Sequence, residues 1–352
     1  MIRQGWATWL GWHRRFAAVA GLWFVLTALT GGVLVFRIPQ PEPMDGAAMA
    51  QAARAMPPLQ MVLSRAGSLH PDLSLYRLLL PRGPGAPATA LFWQGDDQVL
   101  SVRFDPGTGA VLDQSRSDDD PLSGLAALHE GGFWGRWGRR LIGSGGALVL
   151  LLMLAGIRVM SLRSGLPLRE RLWPPAGLRG LRRLRSLHAV LAIWAVLPLA
   201  LTVLSGLVLT FPRTGQSILQ ALLVTHPQTI AQPGEGPADA ARALAVAEAM
   251  LPGWAADFID IPPARAAKPY YAVRLLRRER SAVEIPALVT VDRRDGSAEA
   301  QLPGRAEIVR AWVRALHRAE IYRVPLVGLA VVPALLAGLG LAIWVRKTGL
   351  LF

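Results

Sequence analysis

Residues 16–36 read FAAVAGLWFVLTALTGGVLVF and contain no charged side chain. A helix rises about 1.5 Å per residue, so this run reaches roughly 30 Å, the thickness of a bilayer's hydrocarbon core. Residues 141–157, 186–212 and 324–345 are similarly apolar. The second of the four runs is short and is expected to extend at its ends. Four membrane-crossing helices follow, with Pro198, Pro325 and Pro333 in or at the edge of spans as candidate kinks. A cleaved leader fits the first run poorly, because its apolar stretch is long for an h-region and no A-x-A site follows it.

The chain has 352 residues, of which 52% are hydrophobic, and a mean hydropathy of +0.33. That is too apolar for an ordinary soluble protein and too charged for a bare helical bundle, so spans are expected to alternate with soluble inserts. There is no cysteine. This excludes disulfides, thiolate metal sites, iron–sulfur clusters and covalent c-type haem, and leaves histidine, carboxylate and methionine for any redox or metal chemistry. The net charge is +14, yet the arginines cluster beside apolar runs, which points to membrane topology and a lipid bilayer partner, not to nucleic acid.

Arginine sets the expected orientation. Arg3, Arg14 and Arg15 precede the first span, seven arginines from Arg163 to Arg185 fill the loop between the second and third, and Arg346 and Lys347 follow the fourth. All fall on one side, read as the cytoplasm, with both termini there; Arg136, Arg139 and Arg140 run against the rule. The expected order is a first transmembrane helix (1–36), a soluble domain (37–128), a second helix with an edge segment (129–160), an Arg-rich loop (161–185), a third helix (186–212), a second soluble domain (213–316), and a fourth helix with a short tail (317–352).

The chain also repeats itself. His13, Thr27, Gly31 and Phe36 recur at the same spacing as His188, Thr202, Gly206 and Phe211, and Leu128-His129 recurs as Leu316-His317. In the inserts, a helical stretch near 46–69 precedes the strand-like LSLYRLLL, ATALFWQ and QVLSVRFD and the turn DPGTG. A helical stretch at 238–251 precedes DFIDI, PYYAVRLL, ALVTVD and the turn RRDGS. Each insert reads as a small α+β unit with a hairpin marked D-x-x-[TD]-G.

Six histidines are present: His13, His70, His129, His188, His226 and His317. Four stand at the membrane edge of a span, one per span, His13 and His188 at one depth and His129 and His317 at the other. A lone membrane-edge histidine is an interfacial polar residue more often than a ligand. Four in matching repeat positions fit two bis-histidine sites for b-type haem, which needs imidazoles from different helices facing one plane. Zinc or copper fits less well, since no third ligand lies near either pair. On a helical wheel Ala20, Thr27 and Gly31 lie toward the His13 face, and Ala195, Thr202 and Gly206 toward the His188 face. These small residues leave room for a macrocycle and also suit plain helix packing.

Arg158 and Arg346 fall near the face of their span's histidine if the helices run unbroken, where they are candidates for haem propionates or simple positive-inside anchors. His70 is read as a surface or turn residue. His226 is a candidate third ligand or substrate contact. Glu130, Trp134 and Arg136, in LHEGGFWGRWGRR, are read as part of an aromatic belt or as a wall where an electron acceptor docks.

The run W-x-x-x-L-G-W-H-R-R-F at 6–16 with T-G-G at 30–32, LHEGGFWGRWGR at 128–139, S-L-H at 186–188 with S-G at 205–206, and LHRAEIY at 316–322 resemble the PepSY-associated transmembrane proteins of bacterial inner membranes, which include ferric-siderophore reductases. FDPGTGAVLD at 104–113 resembles the closing hairpin of a PepSY domain, and VDRRDGSAEA at 291–300 is a weaker copy. The resemblance implies a multi-pass α-helical membrane protein with two periplasmic PepSY-like domains. It implies an oxidoreductase with two haems b held by His13, His129, His188 and His317. Its substrate would be a ferric siderophore or other Fe(III) chelate, reduced to release Fe(II) for uptake. No Rossmann or Walker sequence is present, so the cytoplasmic electron donor is expected to be a separate protein. Two rivals remain at this level, a non-enzymatic membrane-anchored PepSY binding or regulatory module and a metal transporter. The second is disfavoured by spans without acidic residues near their centres.

Overall fold

The computed structural model describes residues 2–36, 59–83, 85–95, 98–117, 119–161, 167–224, 228–263, 269–277, 283–318 and 323–348. The elements in order are α1 (Ile2–Leu34), α2 (Leu59–Leu69), β1 (Ser74–Leu79), β2 (Ala88–Gly95), β3 (Gln98–Phe104), β4 (Val111–Arg116) and α3 (Ser123–Glu130). A 3-10 turn, Gly132–Trp134, leads into α4 (Gly135–Ser161), then α5 (Leu168–Leu172), α6 (Gly180–Thr210) and α7 (Pro212–Leu223). The chain continues through β5 (Gln228–Gln232), α8 (Ala240–Met250), β6 (Trp254–Asp260), β7 (Tyr270–Arg277), β8 (Pro286–Asp292), β9 (Ala298–Leu302), α9 (Arg305–His317) and α10 (Arg323–Thr348). Two compact units result. One holds residues 1–39, 124–217 and 313–352, the other residues 40–123 and 218–312.

The first unit is a four-helix bundle of α1, α4, α6 and α10. Its helices are long and apolar enough to cross a membrane, over Ala7–Leu34, Gly132–Ser161, Gly180–Thr210 and Pro325–Thr348. The second span does extend beyond its apolar run, as expected. α1 packs on α4 and α10, and α6 packs on the same two, so α1 and α6 stand diagonally across the bundle. The outward side chains are apolar and bare: Leu22 is 80% exposed and Leu197 68%. Inside lie the small residues Ala20, Ala155 and Ala195. With Leu on the outside and Ala and Gly within, the association rests on close backbone approach, as expected where lipid is the solvent. Pro198 and Pro333 lie inside α6 and α10.

The second unit is one antiparallel sheet of nine strands in the order β4-β3-β2-β1-β6-β7-β8-β9-β5. The sequence reading has two separate α+β units, but the structure joins their strands through the β1–β6 pairing, with Leu78 opposite Ile259. Each half is a helix followed by a four-stranded meander: α2 with β1–β4, and α8 with β6–β9. Alternation assigns one face to the core. Val102 and Phe104 on β3, Ala90 and Phe92 on β2, Val273 and Leu275 on β7, and Val289 and Val291 on β8 are all fully buried. Val62 and Ala66 of α2 and Ala243 and Ala247 of α8 cover that face. Asp239 caps α8, its carboxylate accepting from the Arg242 N–H at 2.8 Å.

Ion pairs stitch the seam between the halves. Arg77 on β1 donates to Asp260 on β6 at 2.5 Å. Arg82 spans Asp257 and Glu284, each at 2.7 Å. Asp257 is only 4% exposed. The two D-x-x-[TD]-G hairpins form as expected. Asp105 Oδ1 accepts from the Gly107 and Thr108 N–H groups, Asp292 Oδ1 from Arg294 and Asp295 Oδ1 from Ser297, with Gly109 and Gly296 in the left-handed region.

Candidate functional site: two histidine pairs in the helical bundle

The bundle brings the four membrane-edge histidines together in two pairs. His13 on α1 faces His188 on α6 with ring centroids 6.3 Å apart and planes at 79°. His129 faces His317 with centroids 6.2 Å apart and planes at 38°. The same-depth pairing read from the sequence is the pairing in the structure.

Each imidazole is fixed by a backbone carbonyl on a neighbouring helix. His13 Nδ1 donates to Leu152 O at 3.2 Å, His188 Nδ1 to Leu336 O at 3.1 Å, His129 Nδ1 to Thr27 O at 3.0 Å and His317 Nδ1 to Thr202 O at 3.1 Å. A carbonyl oxygen only accepts, so the proton must sit on Nδ1 in all four. Nε2 then keeps its lone pair, the form in which imidazole binds a metal. A ligating histidine characteristically gives its other N–H to such a carbonyl, which fixes tautomer and ring orientation. The bonds are reciprocal within each repeat: α1 carries His13 to α4 and receives His129, and α6 carries His188 to α10 and receives His317.

Glycines make room for the rings. A β-carbon on Gly31 would stand 2.8 Å from His129 Cε1, and one on Gly206 would stand 2.9 Å from His317 Cε1. Gly156 and Gly340 lie beside His13 and His188 in the same way, at 3.2 and 3.8 Å. The small-residue face of α1 thus carries its own histidine near one end and receives a second near the other.

Two details of the sequence reading are corrected. The helix does not run unbroken from His129 into the second span: α3 ends at Glu130, Gly131 takes a φ of 77°, and a 3-10 turn intervenes before α4. A β-carbon on Gly138 would meet the Gly131 carbonyl oxygen at 1.8 Å, so the fold-back requires glycine there. His317 likewise ends α9 and is not on α10. Arg158 and Arg346 therefore do not share a continuous helix with His129 and His317. Their positions also differ, since Arg158 stands two residues beyond the glycine beside His13, whereas Arg346 stands six beyond the glycine beside His188. Both are exposed; Arg158 lies over the Trp9 ring and donates to Ser161 Oγ at 3.2 Å.

Glu130, Trp134 and Arg136 are exposed, Arg136 lying over Trp137. His70 is a turn residue bonded to Gln114, as read from the sequence. His226 lies outside the described residues. Sequence reasoning missed the carbonyl acceptors, which carry no side-chain signature, and the hydroxyls of Thr30 and Ser205, which contact His129 and His317 at Nδ1. Their signal was present as the repeated T-x-x-[ST]-G at 27–31 and 202–206.

Two imidazoles trans on one metal, each bonded at about 2.0–2.1 Å, place their ring centres roughly 6 Å apart. Both pairs fit that separation. Among the described residues no group of three or more His, Asp or Glu could hold a metal ion. Two nitrogens fall short of the four donors a bare zinc ion takes, so the donor set suits a metal whose other ligands come with it, as in a macrocycle.

The family described as the PepSY-associated TM region matches residues 10–347. The chain belongs to that family. The match runs through all four spans and both inserts, and makes this PepSY-associated protein a membrane protein. No curated protein matches the chain.

Proposed function

We propose that this PepSY-associated protein is a haem-b oxidoreductase that carries electrons across a bacterial inner membrane to a ferric chelate. The observation that carries the reading is the set of four histidines, each with Nδ1–H given to a carbonyl so that Nε2 keeps its lone pair, disposed as two facing pairs. His13 and His188 would hold one haem, and His129 and His317 the other. Haem supplies one-electron chemistry when bound. The chain's own residues orient the four imidazoles, fix their tautomers and enclose them in an apolar bundle. The arginine distribution supports placing the His13 end in the cytoplasm and both inserts in the periplasm. One electron then converts a tightly chelated Fe(III) to Fe(II), which hard oxygen donors hold less well; a separate cytoplasmic protein supplies that electron.

The test is the optical spectrum of the purified full chain, with haem quantified per chain. A Soret band and two haems b are expected, and a protein purified without a Soret band sinks the reading. His129→Ala or His317→Ala should abolish reduction of a ferric siderophore on the periplasmic side and leave the other haem's spectrum in place.

A binding-module reading has one observation in its favour. The sheet unit contains a cleft of about 660 Å³ lined by Gln60, Asp239, Arg242, Tyr271, Arg293 and apolar neighbours, a volume in the range of small-molecule sites. Haem content separates the two readings at once.

A further inference from the structure

The two histidine layers are not chemically equal. At His13 and His188 each Nδ1–H has a carbonyl partner, Leu152 O or Leu336 O. At His129 and His317 each Nδ1–H meets a carbonyl and also a hydroxyl: Thr27 O and Thr30 Oγ1 for one, Thr202 O and Ser205 Oγ for the other. The hydroxyls lie 3.1 and 3.2 Å from Nδ1. Thr30 is 5% exposed and Ser205 4%, and both stand immediately before the glycine that faces the ring.

A hydroxyl has one proton. That of Thr30 goes to Leu26 O at 2.9 Å or Thr27 O at 3.0 Å, and that of Ser205 to Thr202 O at 2.8 Å. The oxygen lone pairs are therefore what Nδ1–H meets. Back-bonding to a carbonyl is a routine way to satisfy a hydroxyl in an apolar helix, and Thr210 does it with Gly206 O. That routine accounts for the proton. It does not account for a hydroxyl beside the ring nitrogen at the same point of both repeats.

We infer that Thr30 and Ser205 are positioning residues that lower the reduction potential of the His129/His317 haem. The inference rests on the bis-histidine haem reading above. A second acceptor at Nδ1–H raises the basicity of the ligating imidazole, which favours Fe(III) over Fe(II) and lowers the reduction potential. The effect is strong inside an apolar bundle, where the local dielectric is low. The layer carrying the hydroxyls is the one proposed to reduce the chelate, where a low potential is useful.

The experiment is a redox titration of the full chain in nanodiscs, followed by haem absorbance, for the wild type, Thr30→Val, Ser205→Ala and the double variant. His129→Ala identifies which component belongs to which layer. The double variant should raise the potential of the His129/His317 component alone. A tenfold fall in its oxidised-to-reduced ratio at fixed potential is expected, equivalent to about 59 mV for one electron. Thr210→Val, which removes a back-bonding hydroxyl that no histidine touches, should move neither component. Thr30→Ser and Ser205→Thr keep the hydroxyl and should hold the wild-type potential. They also decide the matter should the double variant lose haem, since a shift in these swaps as large as in the single deletions assigns the residues to packing and overturns the inference. Unmoved potentials in the double variant, or equal shifts in both components, overturn it too. A wild type without haem removes the bis-histidine reading itself, a distinguishable failure.

Discussion

Gly31 touches the imidazole of His129 so closely that a β-carbon would stand 2.8 Å from Cε1, and Gly206 does the same to His317 at 2.9 Å. Gly156 and Gly340 are looser against His13 and His188, at 3.2 and 3.8 Å. The four sites therefore form a graded series. Gly31→Ala and Gly206→Ala should each displace a ring and cost about 1–3 kcal/mol as overpacking. Gly156→Ala should cost less, and Gly340→Ala should be close to neutral. Haem retention during purification and thermal melting in detergent read the order, and a Gly340→Ala variant as damaged as Gly31→Ala would contradict it.

On the proposed bis-histidine reading, His13→Ala and His129→Ala should each remove one haem per chain and leave the other. Within a layer the losses should not add: His129→Ala/His317→Ala should match either single variant, because one missing axial nitrogen already breaks the pair. Pyridine haemochrome quantification is the measurement. A further loss in the double variant would mean that the partners do not share a site.

Gly138→Ala should be among the most damaging single-methyl additions in the chain. Its β-carbon would lie 1.8 Å from the Gly131 carbonyl oxygen, and backbone cannot rotate away as a side chain can. A cost at or above about 3 kcal/mol is expected. Lowered yield of folded protein and new protease sensitivity near residues 128–140 are the readouts.

In the sheet, Asp257→Ala should cost about 2 kcal/mol, because it removes the buried carboxylate that Arg82 and Arg274 share and leaves both to Glu284. The urea midpoint of the β-sheet circular dichroism signal tests this. No change would mean that water replaces the carboxylate without loss.

Asp105 supplies a pH prediction. The backbone N–H of Thr108 first, then its hydroxyl and the N–H of Gly107, hold the Asp105 carboxylate below its ordinary value of about 3.9. A depressed folded value means that the turn is stabilised above the unfolded value and loses that support as pH falls through the folded one. Carbon-13 NMR titration of the side-chain carboxyl should show the low midpoint, and Thr108→Ala should raise it.

The spans, the histidine pairs and both aspartate turns were legible because each is written in residue type. Charge-free length marks a span, and D-x-x-[TD]-G marks a turn. The β1–β6 junction was not legible. Leu78 and Ile259 meet across about half of the chain, and nothing local in LSLYRLLL or DFIDI says which edge it pairs with. The break at Gly131 was written in the sequence as GG, yet helical periodicity was carried through it. The acceptors Leu152 and Leu336 were beyond reach for a simpler reason: a main-chain carbonyl is the same in every residue, and only its place in space makes it a partner.

The antiparallel contact of β1 with β6 joins two equivalent strands, which is the contact a homodimer of one half-chain would make at its two-fold axis. Each half on its own would carry two correctly protonated histidines, held by bonds between its own pair of helices, and no partner for either. Two identical copies of that half would be complete. Within one chain the two halves also differ, as identical subunits cannot: Arg158 stands two residues beyond Gly156, and Arg346 six beyond Gly340.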